Sequence, residues 1–250
     1  MPQNWRLNGY IDPVKTQGLY EAMSRRESCR SFMSAPTAAQ WEGLSAAAAS
    51  FSLPGVRLIP GVCNNELFSP FFGLLMKFEN VQRFAAVITT DDAAQSIVNA
   101  GISGEMLMLE AVDKGLGGCW VAGTYKRRDV GIVLKEGEKI RGLIALGVPE
   151  RVPELPIKRK RKPLADLCSP NFSEAPAVFL EVARAIHCAP SAVNFQPWRL
   201  VYEPEKTLSI GVKRARLDLG IALCHAALAA GNTPVQYELS EDGLTARMTV

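Results

Sequence analysis

Histidine is scarce in this chain: 250 residues hold two, His187 and His225. Each stands beside a cysteine, as His187-Cys188 and Cys224-His225. Neighbours in sequence point to different faces of a helix, so neither pair builds a metal site or a Cys–His nucleophile. Packed or capping histidines are expected, and no metal. The 6 cysteines are scattered without a C-x-x-C pair. That excludes a disulfide scaffold and a zinc cluster, and it leaves reduced thiols, as in a cytoplasmic protein. Charge of one sign is also lacking, since the net charge is only +3, which excludes bulk attraction to nucleic acid. No G-x-G-x-x-G follows a strand pattern, so a Rossmann dinucleotide fold has no support. The apolar runs at Gly104–Ala111 and Leu219–Ala230 are too short and interrupted to span a bilayer. Met1–Tyr20 is polar and mixed, so no secretory leader is expected.

With 48% hydrophobic and 21% charged residues, the composition is that of a folded protein, not a disordered one. The length suits one large domain or two closely packed halves. Asp12-Pro13 is a helix-start signature for a helix over Tyr10–Met23. Thr37–Ser50 has a polar cap and an alanine-rich body, and predicts a second helix. Arg57–Gly61 and Phe84–Thr89 read as strands, the latter nearly continuous in apolar residues and so central in a sheet. Asp91–Gly115 is a long helix apolar on nearly every side, which predicts burial all round at a subunit-like interface. Lys126–Leu134 is expected as a short helix and Arg141–Leu146 as a strand. Pro149–Pro163 is proline-rich and basic, the composition of an extended linker. Beyond it, Glu174–His187 and Asp218–Ala230 read as helices. Arg199–Glu203, Leu208–Val212, Thr233–Leu239 and Ala246–Val250 read as strands. The sum is an α+β layered sandwich: a mixed, mostly antiparallel sheet with helices on both faces.

Four segments carry polar groups in patterns that suggest a site. Ala189–Trp198 reads APSAVNFQPW, with Pro190 forcing a turn after the preceding helix. Ser191, Asn194 and Gln196 then offer hydroxyl and amide groups suited to a planar, heteroatom-rich ring, with Trp198 as an aromatic lid. The plainer reading is a capping turn and a core tryptophan. Arg26, Ser28 and Arg30 alternate so that two guanidiniums and a hydroxyl can converge on one anion. Alternatively they are a basic helix end that complements its dipole. Lys158–Lys162 is by default a solvated basic linker. A nucleic-acid patch is disfavoured because no aromatic platform stands beside it. Gly117–Gly123, taken by itself, is a glycine cap followed by a buried strand.

Together these segments resemble the nitroreductase family of FMN-dependent NAD(P)H oxidoreductases. The APSAVNFQPW run is similar to the family's flavin loop, and Arg26, Ser28, Arg30 and Phe32 to its R-x-S-x-[RK]-x-F motif. Gly104–Gly123 resembles the long buried helix and the turn after it. Ile144–Pro149 resembles the strand ending in Leu-Gly-x-Pro, and Arg159–Leu164 the basic segment that closes ordinary members. The order is unusual, because the flavin loop follows the segment that normally ends the chain. The resemblance therefore implies a fused pseudo-dimer: residues 1–157 as a first half with the Arg/Ser phosphate motif, 158–167 as a basic linker, and 168–250 as a second, shorter half with the flavin loop. Leu44–Arg57 parallels Val182–Arg199, and Asp218–Asn232 parallels Asn99–Gly117, as a weak internal repeat.

That resemblance implies one FMN held by Arg26, Ser28, Arg30, Val121, Ala122, Gly123, Arg159, Arg161, Pro190, Ser191, Ala192, Asn194 and Gln196. It implies ping-pong hydride transfer from NAD(P)H through flavin N5 to a nitroaromatic, quinone or similar acceptor, with no protein residue as catalytic acid or nucleophile. Trp198, Phe71 and Phe72 would line the acceptor slot. A monomer is expected, without nucleic acid or membrane as partner. A flavin-dependent dehalogenase is a second enzymatic reading, and a non-catalytic flavin-binding or redox-sensing protein of the same fold is the alternative of another class.

Overall fold

The computed structural model describes residues 13–63, 67–68, 77–203, 206–231, 233 and 236–249. Asp12, Phe71 and Phe72 lie outside the described residues. In chain order the elements are α1 (Pro13–Arg25), β1 (Phe32–Ser34), α2 (Ala38–Phe51), β2 (Val56–Val62), β3 (Arg83–Thr89), α3 (Ala94–Asp113), β4 (Gly117–Val121) and β5 (Lys139–Pro149). There follow α4 (Leu164–Leu167), α5 (Ala177–Cys188), β6 (Arg199–Glu203), β7 (Thr207–Gly211), α6 (Arg216–Ala230), β8 (Gln236–Leu239) and β9 (Thr245–Thr249).

Two antiparallel sheets form. The first joins β2, β3, β5 and β4 in that order, with β1 added to β5 at Phe32↔Pro149. The second runs β6-β7-β9-β8. Each sheet is therefore a hairpin, a long helix and a second strand pair that inserts its last strand beside the hairpin. β3 is hydrogen-bonded on both edges, from Val56↔Thr89 to Val62↔Arg83 on one side and from Arg83↔Leu146 to Thr89↔Lys139 on the other. Its side chains alternate, as a strand's must. Ala85 and Val87 join the core cluster shared with the helices, whereas Phe84, Ala86 and Ile88 join a second cluster with Leu67, Phe68, Val121 and Val130. Burial on both faces is why this strand reads as an uninterrupted apolar run.

α2 starts where the sequence says it should. The Thr37 hydroxyl accepts from the Gln40 N–H, and the Gln40 side chain accepts from the Thr37 N–H, a reciprocal cap. α3 is buried at every residue from Val98 to Val112. The reason is α6, equally buried, which crosses it at two glycines. A Cβ on Gly220 would lie 2.0 Å from the Val98 carbonyl oxygen, and one on Gly101 would lie 2.2 Å from that of Leu217. Only bare backbone fits, so the helices meet more closely than side chains allow. The inner faces of both sheets, with Val87, Leu146, Leu208, Ile210 and Ala246, share one core cluster with these helices.

Lys126–Leu134 departs from the expected helix. A single 3-10 turn forms at Arg127–Asp129 and the remainder is loop, since Gly131 takes a φ of +68° that ends any helix. Among the described residues no helix is long and apolar enough to cross a membrane.

Candidate functional site

α1 ends at Arg25, and the next residues become extended. Ser28 bridges Gly118 of β4, and the Cys29 N–H donates to the Gly118 carbonyl at 3.0 Å. Beside them, burial pushes the Cys119 thiol up, while Arg30, Arg26 and a hydrogen bond from Ser28 pull it back. Arg26, Ser28 and Arg30 thus converge on one point beside β4. Arg26 is only 3% exposed. Its Nε and the Nε of Arg30 are buried without a hydrogen-bond partner.

The basic run lies extended across this point. Period-2 alternation turns Arg159 and Arg161 inward to half-burial and leaves Lys158, Lys160 and Lys162 exposed. Arg159 Nη2 donates to the carbonyls of Met23, Ser24 and Arg26 at 2.9, 2.9 and 2.8 Å. It caps the C-terminal end of α1, where the helix has free carbonyls and partial negative charge. Arg161 does the same for α5, donating to His187, Cys188 and Ala189 carbonyls and through Nη1 to Asn194 Oδ1. Arg159 Nε is buried without a partner. Among the described residues, no carboxylate lies within salt-bridge distance of Arg26, Arg30, Arg159 or Arg161. Burial and the charges of Arg26 and Arg159 bring the Arg161 guanidinium down to about 10.

α5 delivers the loop Ala189–Trp198 to the same place. Val193, Asn194 and Gln196 all take positive φ, at 44°, 57° and 48°. Asparagine tolerates this region, but for β-branched Val193 it costs on the order of 1–3 kcal/mol, so the surroundings must over-determine the loop. They do. Ser191 Oγ accepts from the Gln196 N–H at 2.9 Å, Gln196 Oε1 accepts from the Lys162 N–H at 2.9 Å, and Asn194 Nδ2 donates to the Lys160 carbonyl at 2.9 Å. Gln196 is buried. The amides of Asn194 and Gln196 therefore bind the loop to the basic run, each with hydrogen-bonding capacity to spare. Trp198 is not a lid. It is 3% exposed, packs in the core and donates from Nε1 to the Asp218 carbonyl at 3.2 Å. The exposed aromatic of the loop is Phe195, at 67%.

Ser191, Asn194 and Gln196 thus form one hydrogen-bonded constellation with the basic run, in which Arg159 reaches the Arg26 carbonyl; Pro190 and Ala192 belong to the same loop, and Ser28 and Arg30 follow Arg26 beside β4. Val121, Ala122 and Gly123 lie at the far end of β4. Val121, the last residue of β4, is three residues past the Ser28–Gly118 bridge, roughly 10 Å along the strand, and the chain bends at Ala122 and Gly123. Val121 is buried, Ala122 and Gly123 are exposed, and nothing lies within 4 Å of where a Gly123 Cβ would be. A separate cleft of about 530 Å³ opens between Arg57–Val62 and Asp129–Val133, away from this constellation.

Asp218, in the first turn of α6, holds the loop from below. Its carboxylate accepts from the Ala192 N–H at 3.3 Å. Burial lifts this carboxyl to about 6, against the opposing pull of that N–H. Folding therefore favours the protonated acid, and the stability it contributes is complete below about 4 and is lost as the pH rises through 6. Asp218→Asn keeps an acceptor for Ala192 and removes the charge. It is expected to be more stable than wild type by about 2 kcal/mol at pH 7.5, with the difference shrinking towards pH 4. Urea melts of both proteins across that range measure it.

His225 is packed and His187 is half-buried at the end of α5. His187 Nε2 lies 2.8 Å from the Lys162 carbonyl, and His225 is fully buried against Glu105. Glu105 was the missed residue. A carboxylate inside a helix buried all round demands a partner, and that demand was the available signal.

Residues 18–230 match the family model described as "Putative TM nitroreductase". Among solved structures, the chain is similar to a "putative nitroreductase" of Thermotoga maritima, at 21% identity and a TM-score of 0.68, with 92% of each chain covered. It is also similar to an NADPH:FMN oxidoreductase of Vibrio harveyi solved with NAD+, at 18% identity and a TM-score of 0.48, over 66% of this chain and 83% of that one. No curated protein matches it by sequence. The Thermotoga likeness shows a common fold, and with a family match over most of its length the chain belongs to the nitroreductase family.

Proposed function

We propose that this protein is an FMN-dependent oxidoreductase of the nitroreductase type. One observation carries the reading. Arg26, Arg30 and Arg159 bury their Nε atoms unpartnered within one cluster of cations, and no described carboxylate lies within salt-bridge distance of them. Buried donors left unpaired are costly, and guanidinium forks match phosphate oxygens bidentately. A phosphate monoester fits this donor set in charge and geometry.

Arg26, Ser28 and Arg30 would hold the FMN phosphate and the start of its ribityl chain, with Arg159 donating from its free Nε. Arg161 has its guanidinium turned to the α5 carbonyls and Asn194, and so shapes the site by fixing the loop. Pro190, Ser191, Ala192, Asn194 and Gln196 would form one side of the ring slot, and the backbone of Val121, Ala122 and Gly123 the other. Bound FMN supplies the chemistry, hydride acceptance from NAD(P)H and its return to an electron-poor acceptor such as a nitroaromatic or quinone. The chain's own residues bind, orient and exclude water, and none is assigned proton transfer.

The site draws the arginine motif from residues 1–157 and the loop from 168–250, joined by 158–167. The two sheets have matching strand orders, β2-β3-β5-β4 and β6-β7-β9-β8, each around one long helix. This supports reading the chain as a fused pseudo-dimer with a single complete site, acting as a monomer.

The test is steady-state NAD(P)H oxidation by FMN-loaded protein with a series of nitroaromatics and quinones. Parallel lines in double-reciprocal plots, the mark of two half-reactions sharing one slot, are expected. Reoxidation that is slow with every acceptor but oxygen would instead make this a flavin-binding protein without the activity.

A further inference from the structure

At the crossing of α3 and α6, one chain of hydrogen bonds passes through four elements. The Ala185 carbonyl of α5 lies 3.0 Å from His225 Nδ1 of α6. His225 Nε2 lies 2.9 Å from Glu105 Oε1 of α3, and Glu105 Oε2 accepts from Trp120 Nε1 of β4 at 2.8 Å. Glu105 and His225 are both fully buried.

The protons in this chain can be counted. A carbonyl only accepts, so Nδ1 carries a hydrogen. The contact between Nε2 and Oε1 then holds one proton, and the pair is neutral overall whether that proton rests on carboxyl or imidazole. Oε2 must accept, because the indole only donates. Every polar atom is satisfied, and the chain has one direction.

Its two ends are what give it a consequence. Ala185 lies one helical turn before Ala189, where α5 enters the loop. Trp120 immediately precedes Val121, Ala122 and Gly123. The indole is confined as well: a Cβ on Gly104 would lie 2.2 Å from Trp120 Cη2, and one on Gly142 would lie 3.6 Å from Cε3. Gly104 makes room for the ring, Gly142 stands at ordinary contact distance from it, and Glu105 fixes its rotation.

We propose that Glu105 and His225 are positioning residues for the ring slot, tying the β4 turn at Val121–Gly123 to the loop at Pro190–Gln196 through Trp120 and Ala185, and so setting the gap in which a planar ring is bound. This rests on the flavin reading above. It adds that the gap is set from behind, by a buried pair that touches no ligand.

The test compares wild type, W120F, E105L and E105Q for FMN affinity by titration and for the midpoint potential of bound FMN, with circular dichroism to confirm folding. In E105Q the amide oxygen still accepts from Trp120, and the amide nitrogen donates to a neutral His225 Nε2, so the chain stays intact. W120F removes the indole donor and leaves Glu105 Oε2 unpaired. W120F and E105L, which removes both carboxylate oxygens from the chain, are each expected to bind FMN about tenfold more weakly and at a shifted potential, with E105Q restoring both towards wild type; a folded E105L with wild-type affinity and potential overturns the proposal. A folded W120F with wild-type affinity and potential overturns the proposal, even if it melts at a lower temperature. So does E105Q weakened as much as W120F, since the pair would then act through charge and not orientation. If wild type itself retains no FMN, the flavin reading fails, and the proposal with it.

Discussion

Arg26→Met is expected to weaken FMN binding by roughly tenfold to a hundredfold, while the apo-protein becomes no less stable than wild type. The two halves of this result have opposite physical origins. Charge-assisted hydrogen bonds contribute about 1.5–3 kcal/mol each, and each 1.4 kcal/mol is about tenfold in affinity. Losing the Arg26 fork therefore removes one such contact to the phosphate. In the free protein the same guanidinium is 3% exposed, its Nε has no partner, and Arg161 and Arg159 repel it. Methionine fills a similar volume without a charge to desolvate, which offsets the lost length of side chain. Its carbonyl still accepts from Arg159, because that bond belongs to the backbone. Binding sites commonly trade stability for function in this way. Flavin fluorescence titration and a thermal melt of the apo-protein read the two halves separately. Strong destabilisation with unchanged FMN affinity would make Arg26 a structural residue.

Gly220→Ala carries the largest expected effect on the fold. The added methyl would sit 2.0 Å from the Val98 carbonyl oxygen and 2.9 Å from Gly101 Cα, both backbone atoms that no rotamer change can move. α3 and α6 must separate, and the Glu105–His225 pair stretches with them. Overpacking of this kind costs about 3 kcal/mol or more, which corresponds to a fall in melting temperature of roughly 6–12 °C for a chain of this size. Gly211→Ala is the control, since its methyl would meet nothing closer than 3.5 Å and should leave the melt nearly unchanged. Equal melting of the two variants would mean that the crossing is looser than described.

Much of this architecture is legible in local chemistry. Thr37 and Gln40 mark the start of α2 because a capping box is a short-range interaction. The apolar run Phe84–Thr89 declares a strand covered on both faces, and α3 declares burial all round. Pro190 fixes where α5 must stop. The polar residues of the loop are legible as a group, but their duties are not. Asn194 and Gln196 each commit an amide group to the basic run, a contact between segments more than thirty residues apart.

Long-range terms explain the remaining differences. Arg159 and Arg161 read as a linker or an anion clamp because nothing local reveals the helix ends they cap. Trp198 stands beside Pro197 in a polar loop, yet β6 carries it inward to the Asp218 carbonyl. Glu105 becomes intelligible only once His225, 120 positions away, is its neighbour. Lys126–Leu134 has helical composition, and Gly131 overrides it through a single positive φ.

The central claim is a single flavin site assembled within one chain. It is tested most directly by flavin-to-protein stoichiometry after FMN loading and desalting, with particle mass measured on the same sample by light scattering. The account predicts one FMN per chain in a particle of one chain's mass. No retained FMN, two FMN per chain, or an obligate dimer that binds flavin only when paired would contradict it.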